Sequence, residues 1–294
     1  MSSSPAVATA PVAPASPLLA QLKQTLRGWP VIAAITMIVV LVLMAIFAPL
    51  LGTSDPALID ASQRLKPISA AHWLGTDAFG RDVYSRVLYG ARISLVVGLG
   101  TVAIALSLGL VIGVVAGYFR WADAIIMRVM DGLMAIPGIL LAIALVSLSG
   151  ASLMTVLVAI SIPEIPRVVR MVRSVMLSVR TESFVEAATI LGTRVPLVMW
   201  RHMMPSTLAP LIVQGTYIFA SAILTEAILS FLGAGIPPET PSWGNAMAEG
   251  RVYFMLLPGL VLYPGVLVSL TVLSVNVLGD ALRDALDPRM AKRV

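Results

Sequence analysis

Residues 133–172 read LMAIPGILLAIALVSLSGASLMTVLVAISIPEIPRVVRMV. The stretch is apolar until Pro163 and is interrupted near its middle by Ser147-Leu148-Ser149-Gly150. Its 40 residues allow two spans of about 30 Å at 1.5 Å per residue, joined tightly at Gly150. One over-long tilted helix is the other reading. Everything downstream changes side of a membrane with the choice, so this stretch decides the fold. Outside it, residues 31–51, 93–118, 208–232 and 257–278 each offer about 20 or more mostly apolar residues, enough to cross a bilayer.

Charge decides between the readings. With six spans, the side that holds both ends carries fourteen of the 20 Lys and Arg, among them Arg167, Arg170, Arg173, Arg180, Arg194 and Arg201. The other side carries Arg64, Lys66, Arg81, Arg86, Arg92 and Arg251. With five spans the bias reverses, to five against fifteen. Cytoplasmic loops are enriched in Lys and Arg, so six spans with both termini cytoplasmic are predicted. The first external loop, residues 52–92, is more basic than that rule favours.

Composition agrees with the class. The chain is 58% hydrophobic and 12% charged over 294 residues, and its apolar excess is aliphatic. A soluble domain of this size needs far more polar surface, so an all-α polytopic membrane protein is expected. The net charge of +5 sits in loops between apolar runs, where it sets orientation and does not point to nucleic acid. The absence of cysteine excludes disulfides, thiol catalysis and Cys-ligated metal. Residues 1–28, rich in Ser, Ala and Pro at their start, read as a disordered cytoplasmic tail, and the run after Lys23 and Arg27 as an uncleaved anchor. Val83, Val87 and Leu88 predict a short amphipathic helix on the membrane face before the second span, with an ordinary solvated helix as the other reading.

Residues 185–205, VEAATILGTRVPLVMWRHMMP, are polar and arginine-flanked between apolar runs. Ser183 and Glu186 have the spacing of a capping box, Gly192 suits a left-handed helix stop, and Pro196 prevents resumption. A helix of about two turns follows, with Ala187 and Ala188 allowing close approach. It is too short to stand alone in water, so docking should hold it. Elsewhere, Gly109, Gly113 and Gly117 place small residues on one helix face, suited to packing within the subunit or against a partner. Glu164 and Glu226 fall in or near the hydrocarbon region, where acids face a cavity or a partner. They are candidate substrate-pathway residues. The alternatives are a pair of Glu164 with Arg167 on one helix face and an interfacial hydrogen bond at Glu226. No catalytic or metal-binding motif stands out: His72 and His202 lie far apart, and neither a His-Glu-x-x-His, a Gly-x-Ser-x-Gly nor a Walker lysine is present.

Glu186-Ala187-Ala188, Gly192 and Pro205 lie in the register of the "EAA" loop of ABC-importer permeases, and the segment resembles it. His202 and Met204 replace the usual Ile and Leu, and the Arg-His before Pro205 is similar to the peptide branch. Leu74-Gly75-Thr76-Asp77 with Gly80-Arg81-Asp82, and Tyr89-Gly90-Ala91-Arg92, resemble the external loop of dipeptide and oligopeptide permeases. Phe231-Leu232-Gly233-Ala234-Gly235 and Leu278-Gly279-Asp280-Ala281-Leu282-Arg283 resemble segments of the second, "C-type" permease of peptide, glutathione and nickel importers. The resemblance covers roughly residues 31–290. It implies a type I importer permease of the bacterial inner membrane, not an enzyme, with six transmembrane helices and a cytoplasmic coupling helix that carries Ser183, Glu186, Ala187, Ala188 and Gly192 and leads to Pro205. It divides the chain into a tail (1–28), a first helix with external loop (29–92), a five-helix permease core (93–285) and a C-terminal tail (286–294). Implied partners are a second permease subunit, two ATP-binding subunits that hydrolyse ATP, leaving this chain without a cofactor, and an external solute-binding protein. Peptides are the expected substrate, with glutathione or nickel as alternatives. An ion-coupled secondary transporter would show internal repeats and more buried ionisable residues, and an intramembrane hydrolase would need paired groups in one site.

Overall fold

In a bilayer every backbone polar group needs an internal partner, and long aliphatic runs supply it by coiling into helices. The computed structural model describes residues 27–286, and no strand occurs among them. The long elements are α1 (Trp29–Phe47), α2 (Val83–Tyr118), α3 (Arg120–Met134), α4 (Gly138–Ser149), α5 (Leu153–Val179), α6 (Ser183–Ile190), α7 (Leu208–Phe231), α8 (Trp243–Gly250) and α9 (Gly259–Leu286). The expected terminal tails lie almost wholly outside the described residues.

Residues 133–172 do break at Gly150, which has φ +84°. The two pieces are unequal, however. Upstream, α4 has only 12 residues, about 18 Å. Beyond Pro137 it meets α3 at an 87° bend. The expected full-width third span is therefore replaced by a bent pair, because Pro137 stops the chain from extending α4 backwards as one rod. Among the described residues four helical stretches are long and apolar enough to cross a membrane, and five are counted if the bent pair is one broken span. α5, with 27 residues, is long enough but carries Arg167, Arg170 and Arg173 in its second half. Those charges are partly met by α3: Arg170 binds Asp131 at 2.6 Å, and Arg173 holds Asp123 with two nitrogens.

The expected amphipathic helix before the second span does not exist as a separate element. Asp82 caps Val83 by accepting from the Ser85 amide at 2.8 Å, and nothing breaks the helix before Tyr118. Val83, Val87 and Leu88 are buried, with Val83 and Val87 packed against Leu260 of α9 rather than lying on a membrane face. The basic stretch before the second span, residues 52–92, finds part of its explanation here. Arg81 and Arg86 are buried between Asp77 and Glu249, and Arg92 donates to the Ala45 and Ile46 carbonyls at the end of α1. Two of the five cations in residues 52–92, Arg81 and Arg86, are thus neutralised by acids, while Arg92 is held by carbonyls alone.

The centre of the molecule is the α2–α5 contact. Gly109, Gly113 and Gly117 face Val168, Val172 and Met176 of α5, all fully buried. A Cβ on Gly113 would lie 2.7 Å from the Val172 Cβ and 3.0 Å from the Val169 carbonyl oxygen. The close approach seen is internal to the subunit. Gly113→Val is accordingly expected to cost about 1–3 kcal/mol by overpacking. It should lower the yield of folded protein in the membrane and the melting temperature in detergent. A variant of wild-type thermal stability would show that the two helices can part at no cost.

Candidate functional site

α5 runs out of its apolar part and ends at Val179. The Thr181 hydroxyl donates to the Ser178 carbonyl at 2.9 Å, and the chain turns at once into α6. Here one expectation fails. Glu182, not Ser183, is the residue before the helix, and no side chain caps it. Ser183 already has a helical place, so the capping box with Glu186 does not form. The turn after α5 brings the chain into helical conformation one residue early. Instead the Glu182 carbonyl accepts from the Val185 and Glu186 amides at 3.0 and 3.2 Å.

The stop is as the sequence predicts. Gly192 has φ +76°, its amide donates to the Thr189 carbonyl at 3.0 Å, and the Thr193 amide donates to the Ala188 carbonyl at 3.1 Å. These two bonds satisfy carbonyls that the helix end would leave open. Val185 and Ala188 face inward, and Val185 joins a buried cluster with Met176, Val198 and Met203. Of the two alanines read as contact points, only Ala187 therefore looks outward. Around it Phe184, Ile190 and Leu191 are 47%, 78% and 84% exposed, with Ser183 and Glu186 also at the surface. Downstream, the wide turn Val198–Met203 tucks Val198 and Met203 under α6, and exposed Pro205 sits in the turn that leads into α7. The segment thus offers an anchored two-turn helix whose outer face is apolar with one acid.

The two candidate acids have different surroundings. Glu164, on α5 between Pro163 and Pro166, is buried. Both of its oxygens lie 3.1 Å from Arg167 Nη1, and the Ser221 hydroxyl of α7 donates to Oε1 at 3.2 Å. The Arg167 guanidinium reaches outward over Tyr217, 6.0 Å from the ring centre. The two prolines supply no amide hydrogen to the carbonyls of Ala159 and Ile162, one turn back. Glu226, on α7, is fully buried. Its Oε1 accepts from the hydroxyls of Ser230 and Ser242, each at 2.9 Å, while Oε2 has no partner. Ser242 precedes α8, so Glu226 ties that short helix to α7. The two acids are not brought together.

A third polar group was not read as one unit from the sequence, although Asp77 and Arg81 lie in the first-loop motif. Asp77 and Arg81 of the loop before α2, Arg86 of α2 and Glu249 of α8 form one buried ion cluster. Arg81 Nε lies 2.6 Å from Asp77, and Arg86 Nη2 lies 3.2 Å from Glu249. Burial pushes the Glu249 carboxyl up, against the pull of Arg86 and Arg81. The signal was charged residues in an otherwise apolar chain, but pairs separated by more than 160 residues leave no local pattern. Next to them Trp243, fully buried, donates to the Val87 carbonyl at 3.0 Å. Together these contacts fasten α8 and the first loop to the end of α2.

Comparison with known proteins gives a consistent answer. Residues 87–292 match the family described as binding-protein-dependent transport system inner membrane component. A probable peptide ABC transporter permease of Sinorhizobium fredii is 54% identical over 85% of this chain and 86% of its own. A dipeptide transport system permease of Alkalihalophilus pseudofirmus is 45% identical over 94% and 91%. A glutathione transport system permease of Pectobacterium atrosepticum is 38% identical over 91% and 90%. Among solved structures, the MetNI methionine ABC transporter in inward-facing conformations matches with a TM-score of 0.52 at 19% identity, covering 70% of this chain and 94% of that one. At that identity the likeness speaks for the fold.

Proposed function

The chain belongs to the family of binding-protein-dependent transport system inner membrane components, and from that premise we propose that it forms half of the transmembrane pathway of an ATP-driven importer of di- and oligopeptides. It is a multi-pass inner-membrane permease subunit and not an enzyme. The peptide assignment draws on relatives that carry peptide and dipeptide names at 45–54% identity. Glutathione, itself a tripeptide, is the second substrate that a relative's name supports.

The observation that carries the reading is α6. A two-turn helix anchored by Val185 and Ala188, with Phe184, Ile190 and Leu191 in the open, is built to be covered by another protein. We assign that cover to an ATP-binding subunit on the cytoplasmic side. A second, related permease completes the pathway, two ATP-binding subunits hydrolyse ATP, and an external solute-binding protein delivers the peptide, so this chain carries no cofactor. Residues 93–285 then form the core, residues 29–92 an added helix and external loop, and both tails are cytoplasmic. Closure of the ATPases moves α6, and α5 and α7 carry the motion to the pathway, which switches between outward- and inward-facing states through contacts that differ between them. The Glu164–Arg167 pair faces that pathway. Glu226, sealed among serines, fixes α8 instead.

Purified complex in vesicles should take up dipeptide on ATP addition with no ion gradient; uptake driven by a gradient alone would refute the reading. Orientation has its own test, helped by a chain without native cysteine. Single cysteines at Ser54, Ser183 and Glu239, all exposed, are probed with an impermeant thiol reagent in intact spheroplasts. Ser54→Cys and Glu239→Cys are expected to label and Ser183→Cys is not. The reverse pattern would invert the topology.

A further inference from the structure

α1, α2, α7 and α9 enclose a gutter of about 850 Å³ with almost wholly apolar walls. That volume lies within the ~300–1,000 Å³ of ordinary ligand clefts. It is open along its length, since Val42, Val96, Leu99 and Ile212 line it and are 37–61% exposed. Thr216 and Thr271, its central polar residues, are already satisfied by the carbonyls of Val213 and Leu267. One end differs. Arg92 lines the gutter there, its guanidinium 4.9 Å from the Tyr89 ring centre. Nε and Nη2 of Arg92 donate to the Ala45 and Ile46 carbonyls, and Nη1 is the nitrogen left for a further acceptor. Arg92 belongs to none of the ion pairs among the described residues.

We infer that this gutter binds an anionic phospholipid, one acyl chain lying along α2 and the phosphate at Arg92. Three observations meet in that occupant. The walls accept only hydrocarbon. The polar end offers a cation with a donor to spare, held in place by α1 and lacking a carboxylate, and guanidinium recognises phosphate through charge-assisted hydrogen bonds. Tyr89 is of the residue type found in the aromatic belt at the headgroup level, and an arginine near the end of a span reaches the same level. The length suffices: from Arg92 to Leu106, both on the gutter wall, α2 rises about 21 Å, more than the ~15 Å that one leaflet contributes to a ~30 Å core, so the wall can carry an acyl chain with Arg92 beyond its end. A helix of another subunit would fill the apolar part but would leave the arginine without an anion.

The test uses the assembled transporter in nanodiscs of equimolar phosphatidylglycerol and phosphatidylethanolamine. A photoreactive benzoylphenylalanine replaces Leu99, an exposed wall residue. Irradiation is expected to give an adduct of phospholipid mass, with phosphatidylglycerol favoured about fivefold, the attraction that one basic residue exerts on an anionic headgroup. Arg92→Gln should bring the two lipids to their bulk ratio, and Arg92→Lys should keep most of the preference. An adduct of polypeptide mass would assign the gutter to a partner helix and overturn the inference. So would equal capture of both lipids by the wild type, or a preference that survives Arg92→Gln. Should that variant fail to assemble, the wild-type ratio and Arg92→Lys decide the matter.

Discussion

Gly192→Pro is expected to abolish ATP-driven uptake while the subunit still reaches the membrane. Gly192 closes α6 with φ +76° and an amide bonded to Thr189. Proline is confined to negative φ and has no amide hydrogen, so both features go at once. No side chain stands within 4 Å of where a Cβ would be, so the damage comes from the backbone and not from crowding. Gly192→Ala separates the two components. It keeps the N–H and carries only the left-handed cost of about 1–2 kcal/mol, so it should retain part of the uptake. Glu186→Lys tests the face rather than the fold. Glu186 is exposed in the first turn, where reversal against the helix dipole costs about 0.3–1 kcal/mol. Helix stability should change little, while the affinity for the ATP-binding subunit falls on the order of tenfold, about 1.4 kcal/mol. Wild-type uptake in both Gly192→Pro and Glu186→Lys, normalised to membrane protein, would remove α6 from the coupling role.

The parts of this fold that could be read from sequence are those written locally. Ser-Leu-Ser-Gly before Ala151 marks the break between α4 and α5, and the positive φ of Gly150 shows why glycine stands there. The stop of α6 at Gly192 is legible for the same reason. The start of α6 was not, because Ser183 and Glu186 have capping-box spacing whether Ser183 precedes the helix or lies inside it. The turn after Val179 settles that, and a spacing does not encode it. The continuation of α2 back to Val83 was hidden by Arg86, which reads as a residue for open water. It is buried because Glu249, far along the chain, meets it. The 87° bend had its cause in view at Pro137, but a proline tells where a helix is interrupted and not the direction that follows. At the candidate site, α6 was visible as a unit, whereas the separation of Ala187 from Ala188 needed the packing of Val198 and Met203.

Glu164→Gln should change which peptides are carried more than how much protein is made. Glu164 is buried, but its partner Arg167 is 46% exposed on the side chain and leans over Tyr217, itself exposed. Removing one member of a fully buried pair costs about 3–5 kcal/mol, because the other charge is stranded. Arg167 is not stranded to that degree, and exposed pairs are worth about 0–1 kcal/mol. The amide can still accept one hydrogen bond from Arg167 or Ser221. Membrane abundance is therefore expected to stay within about twofold of wild type, which is below 1 kcal/mol. The charge balance changes more. A neutral carboxylate–guanidinium pair becomes a net positive site, and a like charge is repelled from it, less strongly than in a dry interior because the Arg167 side chain is half exposed. If the pair faces the pathway, uptake per molecule should fall several-fold for a lysine-containing dipeptide and hold or rise for an acidic one. If instead the pair only joins α5 to α7, the loss should appear as reduced abundance, with the ratio of the two uptakes unchanged. Normalised uptake of one basic and one acidic dipeptide separates these outcomes, and an unchanged ratio would take Glu164 and Arg167 out of the pathway.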